Sequence, residues 1–409
     1  MTQLTVLTFV AVYVGMALGR WPGLRIDRTG IALLGAILLS LAGAVDGPAA
    51  LAAIDFPTLI ILFGLMVLSA QFAVTGFYDW CSARIAAADA GPATVLALVI
   101  ATGGVLSAVL ANDVVVFAMT PMLCAGLRAR GLDPRPFLIA LACAANAGSA
   151  ATIIGNPQNI LIGQYGDLDF WRFLAVCAPP ALAGLAVTFA VVWLGWRHRL
   201  RRDPTPPRPA AAGEPAGLDR PGLAKGLLAT AALLILFGTP LPHVSGVLAV
   251  AGALLVSRRL ATRRMLGMVD WHLLVLFGGL FVVTGAFAAT GLPAQLVERL
   301  AAAGVTLDQP LVLAPLALIG SNTIGNVPMV VLLLAVAGPA SEATLYGLAL
   351  FSTLAGNLLV LGSLANIILV ERAAEVGVRL GFLEHARIGI PVTLLSLALA
   401  MLWLAAVAA

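Results

Sequence analysis

A carboxylate and an amide interrupt one stretch of this sequence that is otherwise almost entirely apolar. Asn112 and Asp113 lie in the middle of LSAVLANDVVVFAMTP, which contains no lysine or arginine. A charged side chain at the centre of a bilayer costs about 2.5–3.5 kcal/mol on insertion scales, and such residues mark ion or substrate pathways. We therefore expect Asp113 either to carry a proton or to pair with a bound cation, as in a coupling-ion site. The alternative is a structural carboxylate that caps a helix.

Polar residues recur in three further clusters, so that the four clusters read ANDV, GSAATIIGNPQN, SNTIGNVP and AGNLLVLGSLAN. None contains a lysine or arginine, and their glycines and prolines break helices. Non-helical backbone at membrane depth survives only where it is buried in protein or lines a water-filled cavity. The clusters therefore predict one central binding site, although polar side chains that merely bridge helices remain the alternative.

The residues of this predicted site fall into two groups. The substrate or ion ligands are Asn112, Asp113, Ser149, Thr152, Asn156, Gln158, Asn159, Ser321, Asn322, Thr323, Asn326, Asn357, Ser363 and Asn366, with Asn146 as a further amide. The backbone at the breaks is contributed by Gly148, Gly155, Pro157, Gly325, Pro328, Gly356 and Gly362. We expect no catalytic group, no metal and no cofactor other than a coupling proton or sodium ion. Free helix N-termini would favour anions, and unwound carbonyls would favour cations.

The composition is that of a polytopic membrane protein. Of 409 residues, 61% are hydrophobic and only 10% are charged, with a mean hydropathy of +1.03. The net charge of +4 comes from arginines in short loops, which indicates membrane topology and not nucleic-acid binding. The apolar segments contain no paired carboxylates, no HExxH and no Ser/His constellation, so we expect no enzyme. The chain has no nucleotide-binding loop.

The elements that must position the polar clusters are apolar segments of roughly spanning length. They are expected at about 4–19, 29–45, 56–75, 137–163, 172–196, 223–238, 244–257, 271–290, 345–370 and 388–406. Two more apolar stretches, 93–126 and 309–337, are interrupted at their centres and are predicted to be hairpins. Segment 75–91 is either an interfacial amphipathic helix or a loop, and Asp55 and Asp270 are expected to cap helices.

The two halves of the chain resemble each other. Asn112 aligns with Asn326, Gly155 with Gly362 and Asn159 with Asn366, at offsets of 214, 207 and 207 residues. We predict a first repeat over 1–196, with hairpin 93–126 and broken helix 137–163. A Pro/Arg-rich cytoplasmic linker covers 197–222. The second repeat covers 223–409, with hairpin 309–337 and broken helix 345–370.

The distribution of arginine predicts the orientation of these elements. Loops 20–28 and 127–136, the linker and loop 258–264 are basic and therefore cytoplasmic, which places the N-terminus outside. This is self-consistent only if both hairpins are re-entrant and the repeats are inverted. The predicted fold is an all-α polytopic membrane protein with two inverted-topology repeats. It has about ten transmembrane helices, two re-entrant hairpins and two unwound helices, and inverted repeats are typical of secondary transporters.

The sequences ANDV, IIGNPQNILI, SNTIGNVPMVVLLL and AGNLLVLGSLANIILVE resemble the ion transporter superfamily. The resemblance is to its arsenite permease, sodium/proton antiporter and citrate-transporter-like (anion permease) branch, and it spans nearly the whole chain. It implies elevator-type alternating access, with a hairpin and an unwound helix from each half around one site. Dicarboxylate symporters of the superfamily carry Ser-Asn-Thr at both hairpin tips. Here the tips read Ala111-Asn112-Asp113 and Gly325-Asn326-Val327, which favours the permease branch.

Together these features predict a secondary active transporter in the plasma (inner) membrane. Its expected substrate is a small anion or metalloid such as arsenite or antimonite, coupled to protons or sodium. The alternatives are a sodium/proton antiporter, a citrate-like carboxylate transporter and a channel. Membrane lipid is the expected surrounding. A homodimer and a separate ATPase partner remain open, and no nucleic acid is expected.

Overall fold

The computed structural model describes residues 1–21, 23–200, 217–239, 241–258, 260–338 and 340–408. The described residues form twenty α-helices and one 3₁₀ turn, and their only β-pairing is an isolated bridge between Arg20 and Asp27. The expected all-α fold is confirmed.

Ten helices precede residue 201. They are α1 (Thr2–Leu18), α2 (Arg28–Leu41), α3 (Gly47–Ala53), α4 (Phe56–Val74), α5 (Phe77–Ala87), α6 (Pro92–Val109), α7 (Asn112–Ala129), α8 (Pro134–Ser149), α9 (Pro157–Tyr165) and α10 (Phe170–Leu200).

Ten more helices follow residue 216 in a comparable order of long and short elements. They are α11 (Arg220–Phe237), α12 (His243–Leu255), α13 (Thr262–Leu266), α14 (Trp271–Ala288), α15 (Leu292–Ala302), α16 (Pro310–Thr323), α17 (Asn326–Ala337), α18 (Glu342–Ala355), α19 (Leu364–Glu375) and α20 (Phe382–Ala408). The 3₁₀ turn, Val360–Gly362, lies between α18 and α19.

Fewer described helices are of spanning length than the ten or so expected. Six described helices are long and apolar enough to cross a membrane, namely Phe56–Val74, Pro92–Val109, Phe170–Arg197, Arg220–Phe237, Trp271–Ala288 and Phe382–Val407. Helices α1, α2 and α12 are shorter, at 17, 14 and 13 residues. Pro92–Val109 was expected to be only a hairpin arm, so length alone does not separate that arm from a span. Hydropathy located these helices but not their ends, which depend on caps and tertiary contacts.

The structure shows where helices begin and end around the predicted linker and within segment 75–91. Helix α10 continues to Leu200 and α11 begins at Arg220, so both edges of the predicted linker are helical. The rest of that segment, 201–216, lies outside the described residues. Segment 75–91 contains α5, which buries Tyr78, Cys81 and Ile85 and packs against α7.

Helix contacts follow the same scheme in the two halves. Helix α2 packs on α14 while α12 packs on α4, and α7 packs on α19 while α17 packs on α9. Within each half, α6 packs on α8 and α16 on α18. Two repeats related by a pseudo-two-fold axis produce this exchange of partners. The division into repeats and their inversion across a membrane stay predictions.

Candidate functional site

The first hairpin tip is the tight turn between α6 and α7. The Ala111 amide donates to Ser69 Oγ (3.2 Å), and the Asn112 amide donates to Gly155 O (3.3 Å). Asp113 is the second residue of α7, and its carboxylate accepts no hydrogen bond from the described part of the chain. The N-cap of α7 is Ala111, which makes no side-chain cap bond. Asp113 is therefore not the N-cap residue of this helix and lies in its first turn.

The second hairpin tip turns at Gly325, whose φ of 96° lies in the left-handed region that favours glycine. Asn326 opens α17, and its buried Oδ1 has no hydrogen-bond partner among the described residues. The carbonyl of Pro328 accepts a hydrogen bond from the Tyr13 hydroxyl (3.2 Å), which also lies 3.1 Å from Thr284 Oγ1. This tip is therefore held by α1 and α14, and the amide oxygens of Asn322 and Asn326 have no partner among the described residues.

The first broken helix is interrupted between Ser149, where α8 ends, and Pro157, where α9 begins. Asn156 caps α9 by accepting from the Asn159 amide (2.9 Å). The side chains of the break meet at Thr353 of α18, whose Oγ1 accepts from Asn156 Nδ2 (3.3 Å). The same hydroxyl accepts from Gln158 Nε2 (3.2 Å) and donates to Asn159 Oδ1 (3.3 Å). A hydroxyl from the second half thus fixes the break of the first half.

The second broken helix is fixed in the same way by Asn146 of α8. Its Nδ2 donates to Asn357 Oδ1 (2.8 Å) and Asn366 Oδ1 (3.1 Å), and its Oδ1 accepts from Ser363 Oγ (2.9 Å). Asn146 and Thr353 are 207 residues apart, as are Gly155 and Gly362, so the two residues are equivalent in the alignment of the two halves. Each half therefore supplies one buried side chain that holds the broken helix of the other half.

The hairpin tips and broken helices enclose a small cleft of about 80 Å³. The first residues of α7, α9, α17 and α19 all line it, so four helix N-termini converge there. Three of these helices, α7, α17 and α19, have no side-chain cap bond. The partial positive charge at helix N-termini favours anions and oxygen acceptors.

One basic residue from outside the four clusters also lines the cleft. Arg28, the first residue of α2, lines it together with Asp113. The count of arginines had placed Arg28 in a cytoplasmic loop, and only the tertiary fold brings it to the hairpin tips. The four clusters themselves contain no basic residue, and Arg28 reaches the cleft from outside them.

A larger cavity of about 690 Å³ adjoins the cleft and shares Asp113, Pro157 and Leu273 with it. Most of its lining is apolar, and it includes the exposed side chains of Phe117 and Met268. The cavity connects the protein surface to Asp113, which lies where the two spaces meet.

The predicted site residues separate into those that line the cavities and those that hold the backbone. The cleft or the larger cavity contains Asn112, Asp113, Asn156, Pro157, Gln158, Gly325, Asn326, Pro328 and Ser363. A second group of predicted residues packs closely or forms hydrogen bonds within the breaks and helices. This group is Gly148, Ser149, Thr152, Gly155, Asn159, Ser321, Asn322, Gly356, Asn357, Gly362 and Asn366. Thr323 is exposed and bonds only carbonyls of its own helix.

Three residues outside the predicted ligand set take part in this arrangement. Arg28 lines the cleft, Thr353 holds the first break, and His385 Nε2 lies 3.1 Å from the Asn357 carbonyl. Thr353 lies one helical turn before Asn357, and this spacing could have identified it. Nothing in the local sequence marks Arg28 or His385. The expected caps are confirmed, because Asp55 accepts from the Thr58 amide and Asp270 from the Leu273 amide.

Comparison with known proteins gives a consistent picture. A model of a citrate transporter family matches residues 13–345. The chain is 29% identical over 447 residues to the silicon efflux transporter LSI3 of Oryza sativa subsp. japonica, covering 91% of each protein. It is 28% identical over 178 residues to a transporter named arsB of Dictyostelium discoideum, covering 44% of this chain and 32% of that protein. A crystal structure of the Alcanivorax borkumensis YdaH transporter shares the fold, with a TM-score of 0.56, 17% identity and coverage of 99% and 97%.

Proposed function

The chain belongs to the citrate transporter family of membrane transporters, and we propose that it exchanges a small metalloid hydroxide, such as arsenite, for protons. Membership confirms an integral membrane transporter of anion-permease type and excludes an enzyme. The observation that carries the finer proposal is the small cleft in which four helix N-termini face one unpaired carboxylate. Size, hydrogen-bonding pattern and charge each support this substrate class.

The size of the cleft favours a solute with few atoms. The volume of the cleft is about 80 Å³. Pockets for drug-sized ligands run to several hundred cubic ångströms. A metalloid atom bearing three hydroxyls is closer to this cleft in size than a tricarboxylate is.

The hydrogen-bonding groups of the cleft favour a solute that both donates and accepts. Free N–H groups at the helix N-termini and the guanidinium of Arg28 can only donate, while an ionised Asp113 can only accept. A hydroxide such as As(OH)₃ offers O–H donors to the carboxylate and oxygen lone pairs to the N–H groups. A fully ionised oxyanion would place its charge against Asp113.

The same carboxylate supplies a route to proton coupling. A solute whose hydroxyls donate to ionised Asp113 competes with a proton for that oxygen, so either the solute or the proton occupies the site. Because the solute and the proton exclude each other from the site, alternating access exchanges one for the other across the membrane. Sodium is the alternative coupling ion, since a bound cation would also satisfy the carboxylate.

The names of the relatives agree with this class. One relative is named a silicon efflux transporter and another a transporter arsB, and silicon is a metalloid. We further propose that the chain lies in the plasma (inner) membrane with its N-terminus outside, because the basic loops then lie in the cytoplasm.

A second candidate is transport of a carboxylate such as citrate. It is favoured by the family itself and by the larger cavity of about 690 Å³, which would accept a bulkier anion beside the helix N-termini. In this case the anion would bind only when Asp113 is protonated, so solute and proton would move together.

The test uses purified protein in liposomes that contain a pH-sensitive dye. Arsenite, antimonite, silicic acid, sodium, phosphate and citrate are added in turn to wild type and Asp113→Asn. We expect proton movement opposite in direction to arsenite flux, lost in Asp113→Asn while the variant stays folded. Proton movement in the same direction as citrate flux would establish the carboxylate alternative. Arsenite flux that survives in Asp113→Asn with its proton coupling intact would contradict the role of Asp113.

A further inference from the structure

The two hairpin tips are held by unequal numbers of hydrogen bonds. At the first tip, the backbone amides of Ala111 and Asn112 both donate to groups outside the hairpin. The second tip comprises residues 324–328. Among the described residues, the hydroxyl of Tyr13 on α1 is the one group outside the hairpin that hydrogen-bonds this segment. A single hydrogen bond therefore ties the second tip to the surrounding helices.

The Tyr13 hydroxyl lies in the middle of a hydrogen-bond chain that runs from α14 to the second tip. It donates its one proton to the carbonyl of Pro328 (3.2 Å), which can only accept. Thr284 Oγ1 lies 3.1 Å from the same hydroxyl and must therefore donate to it. The tyrosine ring packs on Phe9 (centroids 4.5 Å apart), which stacks on Phe287 of α14 (3.8 Å). Both the ring and the hydroxyl of Tyr13 are thus positioned from α14.

Comparison of the two halves shows that this chain has no equivalent at the first tip. Thr284 corresponds to Ser69 in the alignment that pairs Asp55 with Asp270, at an offset of 215 residues. Ser69 bonds its hairpin tip directly, whereas in the described structure Thr284 reaches its tip through Tyr13. Helix α11, which takes the place of α1 in the second half, contains no tyrosine. Repeat symmetry therefore does not account for Tyr13.

The carbonyl that Tyr13 bonds belongs to the wall of the cleft. Gly325, Asn326 and Pro328 line the cleft, while Tyr13 lies behind them and lines neither cavity. Asn326 is buried, and its Oδ1 accepts no hydrogen bond from the described residues. The placement of this amide therefore depends on the backbone of the tip, which Tyr13 ties to α14.

We infer that Tyr13 is a positioning residue of the solute site, whose hydroxyl holds the second hairpin tip against α14 so that Asn326 faces the cleft. The inference rests on the proposed function only in assigning the cleft to the solute. Without the hydroxyl, the tip moves away from α14 more often, and the amide oxygen is less often placed to accept from a solute hydroxyl. One hydrogen bond between membrane helices changes such an equilibrium by about three- to fifteen-fold.

The first measurement follows the second tip without any solute. Val327 lines the cleft at this tip, so Val327→Cys is labelled with a water-soluble maleimide in nanodiscs, which expose both faces of the protein. The four native cysteines are buried, and protein without the new cysteine gives the background rate. We expect Tyr13→Phe, which keeps the ring, to raise the labelling rate by about three- to fifteen-fold. Labelling of Ala111→Cys at the first tip should change by less than about two-fold, because Ser69 holds that tip.

Tyr165→Phe is the matched control. It removes the same hydroxyl from the other end of α17, where Tyr165 donates to the carbonyl of Gly338 (2.8 Å) and lines neither cavity. Labelling of Val327→Cys should then stay within about two-fold of wild type. Equal labelling rates in Tyr13→Phe and Tyr165→Phe would overturn the inference. If Tyr13→Phe does not fold, Thr284→Val removes the donor that orients the Tyr13 hydroxyl, and an unchanged labelling rate in that variant overturns the inference equally.

Arsenite counterflow in liposomes separates this inference from the proposed function. Tyr13→Phe should raise the KM for arsenite by about three- to fifteen-fold and leave the maximal rate within about two-fold, whereas a loss of folded protein lowers only the maximal rate. Faster labelling without any counterflow in wild type refutes arsenite as the solute but keeps the role of Tyr13 at the tip. Counterflow with unchanged labelling does the reverse. Faster labelling with an unchanged KM would refute the role of Tyr13 in solute binding.

Discussion

Replacing Asn146 with alanine removes the side chain that holds the second broken helix. The substitution deletes three hydrogen bonds, to Asn357, Asn366 and Ser363, and leaves their polar atoms buried. Hydrogen bonds between membrane helices contribute about 0.6 kcal/mol on average and up to about 1.7 kcal/mol. Three bonds therefore give a loss of about 2–5 kcal/mol in the free energy of unfolding.

The assay is reversible unfolding of purified protein in mixed micelles with increasing denaturing detergent, followed by tryptophan fluorescence. Thr323→Ala is the control, because that exposed hydroxyl bonds only carbonyls of its own helix. We expect the control to change stability by less than about 0.5 kcal/mol. A loss below about 1 kcal/mol in Asn146→Ala, or one equal to the control, would refute the view that this amide holds the break.

Three further substitutions test the contacts around the site. Thr353→Val should lower the free energy of unfolding by about 2 kcal/mol, since it deletes three weaker bonds, and Thr353→Ser should restore most of it. Gly155→Ala places a Cβ 2.4 Å from a backbone oxygen and should cost about 3 kcal/mol or more, whereas Gly252→Ala, which meets open space, should cost nothing measurable. Arg128→Ala removes two 2.7 Å bonds to carbonyls just after α19, and should speed hydrogen exchange at that helix end without slowing transport.

The sequence located the polar parts of the site because insertion into a membrane penalises them so strongly. Asn112, Asp113 and the two broken helices stand out against apolar surroundings, and all of them meet around the cleft. The caps at Asp55 and Asp270 were predictable for a similar local reason.

Residues whose importance depends on the tertiary fold were not predictable in this way. Arg28 carries the same local signature as the exposed arginines of its loop, and only the path of α2 brings it to the hairpin tips. Thr353 is one hydroxyl in an apolar helix, and His385 is near a helix end. The early end of α2 at Leu41 also escaped prediction, because hydropathy reports apolar content and not where a helix ends.

The reciprocal placement of Asn146 and Thr353 has a consequence for how the chain is made. When the first half has left the ribosome, the side chains of Asn156, Gln158 and Asn159 still lack their hydrogen-bond partner, the hydroxyl of Thr353. That hydroxyl is supplied only when synthesis has reached Thr353, 157 residues beyond residue 196, where the first half ends. The first half therefore lies in the bilayer with incomplete hydrogen bonding until the second half is inserted. The final packing of both halves forms only then. Truncated chains that stop before Thr353 should accordingly be substrates for membrane quality-control proteases, however apolar their helices are.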